Sequence, residues 1–114
     1  MKKKNVLLSA EAIRLLRKVK TKIKNKPHAY NQAMPCGTVQ CICGWMKFFA
    51  GLVKIAELHE GGGAILTRDQ YDRLFNASMW PKKFYRNKGA SWQKIKASTA
   101  IRRIDHFIAT DGKE

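Results

Sequence analysis

The side chains best suited to binding chemistry lie near the end of the chain. Trp92, Lys96, Thr99, Arg103 and His106 recur at spacings of 4, 3, 4 and 3. On a helix that spacing is one continuous stripe. It carries an aromatic face, two cations, a hydroxyl and an imidazole. Such a set suits a nucleotide, with a ring to stack a base, cations for phosphate and a hydroxyl for ribose. The competing reading is an exposed amphipathic edge with Trp92 tucked against the core. Just upstream, Trp80 and Trp92 bracket a basic loop holding Lys82, Lys83 and Arg86, with Phe84 and Tyr85 among them. Thr38 follows Cys36-Gly37 as a cap residue, and a helix start there offers backbone N–H groups to an anion.

Other reactive residues form no recognisable constellation. Cys36, Cys41 and Cys43 are spaced C-x4-C-x-C, which matches no common zinc pattern. Three is an odd number, so no disulfide framework is expected. A cysteine near a helix start with a lowered pKa is a candidate nucleophile, and His28, His59 and His106 are candidate bases. Nothing in the spacing pairs a cysteine with a histidine. The expectation is therefore a protein that is not an enzyme and uses no cofactor or metal. A Cys/His-dependent hydrolase is the minor alternative.

The charge agrees with an anionic ligand. Lys plus Arg is 23 against 8 Asp plus Glu, a net +15. Residues 1–26 hold ten basic side chains and one acid, and residues 82–103 hold eight and none. The stretch 27–81 between them is neutral, with four of each sign. Charge this unbalanced repels itself, and a polyanion relieves the repulsion. A solvated, solubilising surface is the plainer reading, but it does not explain why the acids avoid both blocks. If the blocks pack side by side, they make one electropositive pocket. If they face apart, nucleic acid or a subunit interface gains.

The elements that position these residues read as helices. Ser9 is a good N-cap, with Leu8 placed to staple onto Ile13. Ala12, Leu16, Val19 and Ile23 follow at 4, 3 and 4, and Arg14, Arg17, Lys18, Lys22 and Lys24 take the other side. This helix ends before Pro27. A second helix is expected from Thr38 to about His59, apolar nearly all round and hence central, with Gly44 and Gly51 inside it allowing close packing. Thr67 caps a short third helix to about Asn76. Ser91 caps the last, which runs to about Thr110. The prediction is a single all-α domain of about four helices over 1–114, with 1–8 a flexible basic lead-in. The apolar stretch near the N-terminus is too short for a signal peptide and meets Glu11 and Arg14 at once. No run approaches the roughly 18 apolar residues of a membrane span. A cytoplasmic protein with no membrane partner is expected.

The segment Cys36-Gly37-Thr38, Cys41-Ile42 and Gly44-Trp45 resembles the recurring Cys-Gly-Thr-x-x-Cys-Ile-x-Gly-Trp text of a family of small bacterial and phage proteins of uncharacterised activity. The likeness continues through Leu66-Thr67 and Gln70, Leu74-Phe75, Trp80-Pro81 and Arg103 to Ile108, covering the chain beyond about Leu7. It implies one compact helical domain and assigns no chemistry. Cys43 stands where that family usually has Ala, which counts against a shared metal site, and the first helix is more basic than usual. Small phage proteins that sequester nucleotide immune signals are similar in kind, being compact, basic and often oligomeric. The expected partner is thus a small phosphorylated nucleotide, held by sequestration, with a homo-oligomer allowed. Nucleic acid bound by the first helix and the 82–103 segment is the principal alternative. Lys outnumbers Arg 16 to 7, which suits non-specific attraction better than base reading.

Overall fold

In a computed structural model, residues 7–30, 41–60, 64–81, 83–84 and 95–114 are described. They form four α-helices and three short 3₁₀ segments, with no strand among the described residues. Helix α1 spans Ala10–Asn25, α2 Ile42–Ala50, α3 Arg68–Phe75 and α4 Ala97–Ala109. The 3₁₀ segments are Pro27–Ala29, Ile55–Leu58 and Ala77–Met79. The all-α expectation holds, and none of these helices is long and apolar enough to cross a membrane.

Helix α1 forms as its sequence predicts. Ser9 Oγ accepts from the Ala12 N–H at 3.0 Å, satisfying one of the free donors of the first turn. Ala12, Leu16, Val19 and Ile23 are buried, and Leu15 joins them. The helix ends at Asn25, ahead of Pro27. Leu8 is also buried. α1 is the centre of the fold, packing most extensively on α4 and next on α2.

The second helix is shorter than expected and starts later. Cys41 caps it, its Sγ accepting from the Gly44 N–H at 3.4 Å. It stops at Ala50 because Gly51 adopts φ +71°, a left-handed conformation open to glycine at no steric penalty. The Gly51 N–H donates to the Phe48 carbonyl and the Leu52 N–H to the Lys47 carbonyl, both at 3.2 Å. That pair of bonds is a Schellman stop signal. Gly51 is therefore the helix terminator rather than an interior packing residue. The helix is not buried all round either. Ile42 to Met46 are buried, but Phe48 is 59 % exposed and Val53 beyond it 82 %.

α3 is fixed by a capping box. Thr67 Oγ1 accepts from the Gln70 N–H at 3.1 Å, and Gln70 Oε1 accepts from the Thr67 N–H at 2.9 Å. Leu74 and Phe75 enter the core, and Trp80 follows, its Nε1–H donating to the Leu74 carbonyl at 2.8 Å. α4 begins at Ala97, with Lys96 at the N-cap position and no side-chain cap bond. Ser91, the cap expected from sequence, lies outside the described residues. Beyond α4, Gly112 at φ +78° packs so closely that a Cβ there would meet Leu8 at 3.1 Å and Gln70 at 3.2 Å.

Candidate anion-binding site

Among the described residues Arg103 is the largest fully buried side chain, with 0 % of its surface exposed. The sequence spacing places Arg103 on a polar stripe beside the apolar one, but its side chain lies within the core. Ala100, Arg103, Ile104 and Phe107 run i, i+3, i+4, i+7, so Arg103 occupies a core slot on α4. Its guanidinium lies 5.7 Å from the ring centroids of Trp80 and Phe84 and 5.4 Å from that of Phe107. Three rings within about 6 Å make a desolvated cation–π box, which partly compensates the lost hydration. Nη2 donates to the Arg73 carbonyl at 3.1 Å. Nε and Nη1 are buried and have no hydrogen-bond partner among the described residues. Burial pushes the Arg103 pKa down to about 10, against a smaller upward pull from Glu114. The group is therefore still charged at neutral pH.

Phe84 is the hub of a cationic cluster around this box. Lys83 Nζ lies 5.3 Å from its ring, the Arg102 guanidinium 5.7 Å, and the His106 ring 5.3 Å. Lys83 and Arg102 are exposed, while Phe84 and His106 are half-buried. Glu114 sits beside the cluster, its carboxylate 2.9 Å from His106 Nε2. Arg73, whose carbonyl holds Arg103, donates through its own Nε to the Gly112 carbonyl at 2.9 Å. The box is thus braced by α3 and by the turn after α4.

The structure brings Trp80, Lys83, Arg103 and His106 together. Lys96 is exposed at the start of α4, about 10 Å of helix rise before Arg103. Thr99 is half-buried one turn before it. Trp92, Lys82, Arg86 and Thr38 lie outside the described residues. Sequence reasoning missed Arg102 as a member of the set and Phe84 as its centre. Nothing in local spacing ties residue 84 to α4; only the packing of the turn after Pro81 does.

The first basic block gathers elsewhere. Arg17, Lys18, Thr21, Lys22 and Asn25 of α1, with Phe49 of α2, line an open groove of about 470 Å³. The other flank of α1 faces α4, where Lys20 Nζ meets Asp105 Oδ1 at 2.7 Å. The helices bearing the two blocks are therefore adjacent, but among the described residues their cations line separate places.

Cys41 is not an activated thiol. Burial raises the pKa of Cys41, and backbone N–H groups only partly offset this. Its thiolate, which a hydrolase would need, is disfavoured. Cys43 is disulfide-bonded, contrary to the sequence expectation, and its sulfur lies 3.1 Å from that of free Cys41. His59 packs its ring on Tyr71 at 4.2 Å, His28 is exposed after α1, and His106 belongs to the Phe84 cluster. Among the described residues no three His, Cys, Asp or Glu side chains are grouped to hold a metal.

No family model, no curated protein and no solved structure matches the chain. Function is accordingly read from the geometry.

Proposed function

We propose that the protein binds a phosphate-bearing anion, a small nucleotide, at the Arg103–Phe84 cluster, and acts by holding it rather than by transforming it. The observation that supports this is the pair of donors on buried Arg103 that have no partner among the described residues. An unsatisfied buried donor loses about 1–3 kcal/mol, and more when charged, so two on one guanidinium call for an acceptor. Phosphate oxygens are strong acceptors for guanidinium N–H groups. Lys83 and Arg102 supply further positive charge, and half-buried Phe84 offers a ring to the base. Sequestration of a nucleotide signal, as small phage proteins perform it, is the biological role this chemistry fits.

Arg103→Met tests the reading, because Met keeps much of the volume and discards the donors. Replacing a buried charge by an apolar side chain is often neutral or stabilising. The melting temperature of the free protein should therefore change little. The wild type should gain about 10 °C with the right nucleotide at about 100 times its Kd, whereas the variant should gain nothing. If neither inorganic phosphate nor any nucleotide of a broad panel shifts the wild type, or if Arg103→Met shifts equally, the reading fails.

A further inference from the structure

The α1–α2 groove is a second, independent feature with its own chemistry. Arg17, Lys18, Thr21, Lys22 and Asn25 fall on one face of α1 over about 12 Å of helix rise. Thr21 spends its hydroxyl on the Arg17 carbonyl at 3.0 Å, so the cations and the Asn25 amide do the outward-facing polar work. Among the described residues no carboxylate lies within ion-pair distance of Arg17, Lys18 or Lys22. The nearby acid Glu11 is already held by Arg14 at 2.6 Å, and acts on Lys18 only at longer range. The groove wall is otherwise carbon, with Phe49 at its far side.

Phe49 is half of an aromatic stack. Its ring lies 6.1 Å from that of Trp45, with 26° between the planes. Lys22 Nζ, from the groove, sits 5.1 Å from the Trp45 ring. Phe48 packs edge-on against both rings, at 6.0 Å from Trp45 and 5.4 Å from Phe49. A flat ring entering the groove would add a third layer to Trp45 and Phe49, with cations along the opposite wall for the charge attached to it.

We propose that this groove binds single-stranded nucleic acid, stacking a base on Phe49 and holding the flanking phosphates with Arg17, Lys18 and Lys22. A strand suits it better than one small ligand because the groove is open and the positive face continues past it, with exposed Lys24 and Lys26 further along. Stacking on an aromatic platform beside a basic track is how single strands are held without sequence preference. The inference does not depend on the Arg103 reading.

The test is fluorescence anisotropy with a labelled oligothymidylate of about 12 nucleotides, within the usual span of single-strand sites. Salt is varied from about 50 to about 200 mM. The double variant Lys18→Gln, Lys22→Gln should flatten the slope of log K against log salt by about 1.4, at about 0.7 per lost phosphate contact. Phe49→Leu, which keeps an apolar side chain at a half-buried position, should weaken binding about tenfold and leave that slope unchanged. Arg103→Met should bind the oligonucleotide like the wild type. No binding by the wild type overturns the proposal. So does a Phe49→Leu variant of undiminished affinity, which would mark the attraction as diffuse charge. Loss of oligonucleotide binding in Arg103→Met alone would move the strand to the other cluster. Tighter capture of phosphatidylserine vesicles, abolished by Phe49→Leu while oligonucleotide binding persists, would make the face a membrane contact instead.

Discussion

The two cationic regions differ in where their charge is kept. In the α1–α2 groove, Arg17 and Lys18 are exposed and Lys22 is half-buried over the Trp45 ring, at the edge of an otherwise apolar core. At the α4 cluster one cation, Arg103, is inside the core itself, walled by Trp80, Phe84 and Phe107. Solvated charge attracts over distance and is weakened by salt. Desolvated charge acts at contact, is barely screened, and is costly until it meets a partner. The first arrangement suits capture of a polyanion, the second recognition of one ionised group.

The sharpest way to break this contrast is charge reversal on each side. Arg103→Glu puts an unpaired carboxylate among three rings and removes the bond to the Arg73 carbonyl. It should destabilise by about 4 kcal/mol, as burying an uncompensated charge does, and lose the cooperative unfolding transition at moderate temperature. Lys18→Glu in the groove should stay within about 0.5 kcal/mol of wild type, typical of a surface change. Chemical denaturation of both variants checks this, and equal losses would mean that the burial contrast does not govern the energetics.

That contrast explains which parts of the molecule were legible beforehand. α1 was readable because cap, stripe and proline agree: Ser9 accepts from Ala12, the buried positions repeat every three or four residues, and Pro27 follows. α3 was readable because Thr67 and Gln70 are a capping box in plain text. The end of α2 was not. Gly44 and Gly51 look alike in sequence, yet Gly44 is buried inside the helix while Gly51 turns left-handed and ends it. Only the backbone angle separates a packing glycine from a terminating one. Arg103 was misread because residue type was allowed to outweigh register. Its spacing from Ala100, Ile104 and Phe107 is a core spacing, and an arginine there already implies a box of rings or an acceptor. The groove on α1 was half legible: the basic face was visible, but Phe49 joins it only through the packing of α2 on α1.

A smaller effect separates the supports of the two regions. Gly51→Ala should cost about 1 kcal/mol, all of it from holding a left-handed backbone, since nothing lies within 4 Å of the added carbon. Gly112→Ala carries the same backbone strain and also drives its Cβ to 3.1 Å from Leu8, so about 2 kcal/mol is expected. Gly112 further holds Arg73, which holds Arg103. Gly112→Ala should therefore weaken the nucleotide-induced melting shift, and Gly51→Ala should not. Equal behaviour of the two variants in that assay would detach the Arg73 brace from the binding cluster.

The smallest expected effect lies between the regions. Lys20 and Asp105 join α1 to α4 through a 2.7 Å ion pair with 35 % and 52 % of the two side chains exposed. Exposed pairs of this kind are worth about 0.2–1 kcal/mol, because water screens the attraction and two flexible side chains lose freedom. A double-mutant cycle with Lys20→Met and Asp105→Asn should return a coupling near 0.5 kcal/mol that shrinks as salt is raised. Neither variant touches the groove lining or the Arg103 box, so oligonucleotide affinity and the nucleotide-induced melting shift should each stay within about twofold of wild type. A change in both readouts from Asp105→Asn alone would show that the packing of α1 on α4 transmits between the two sites. The regions would then be two faces of one binding device rather than independent ones.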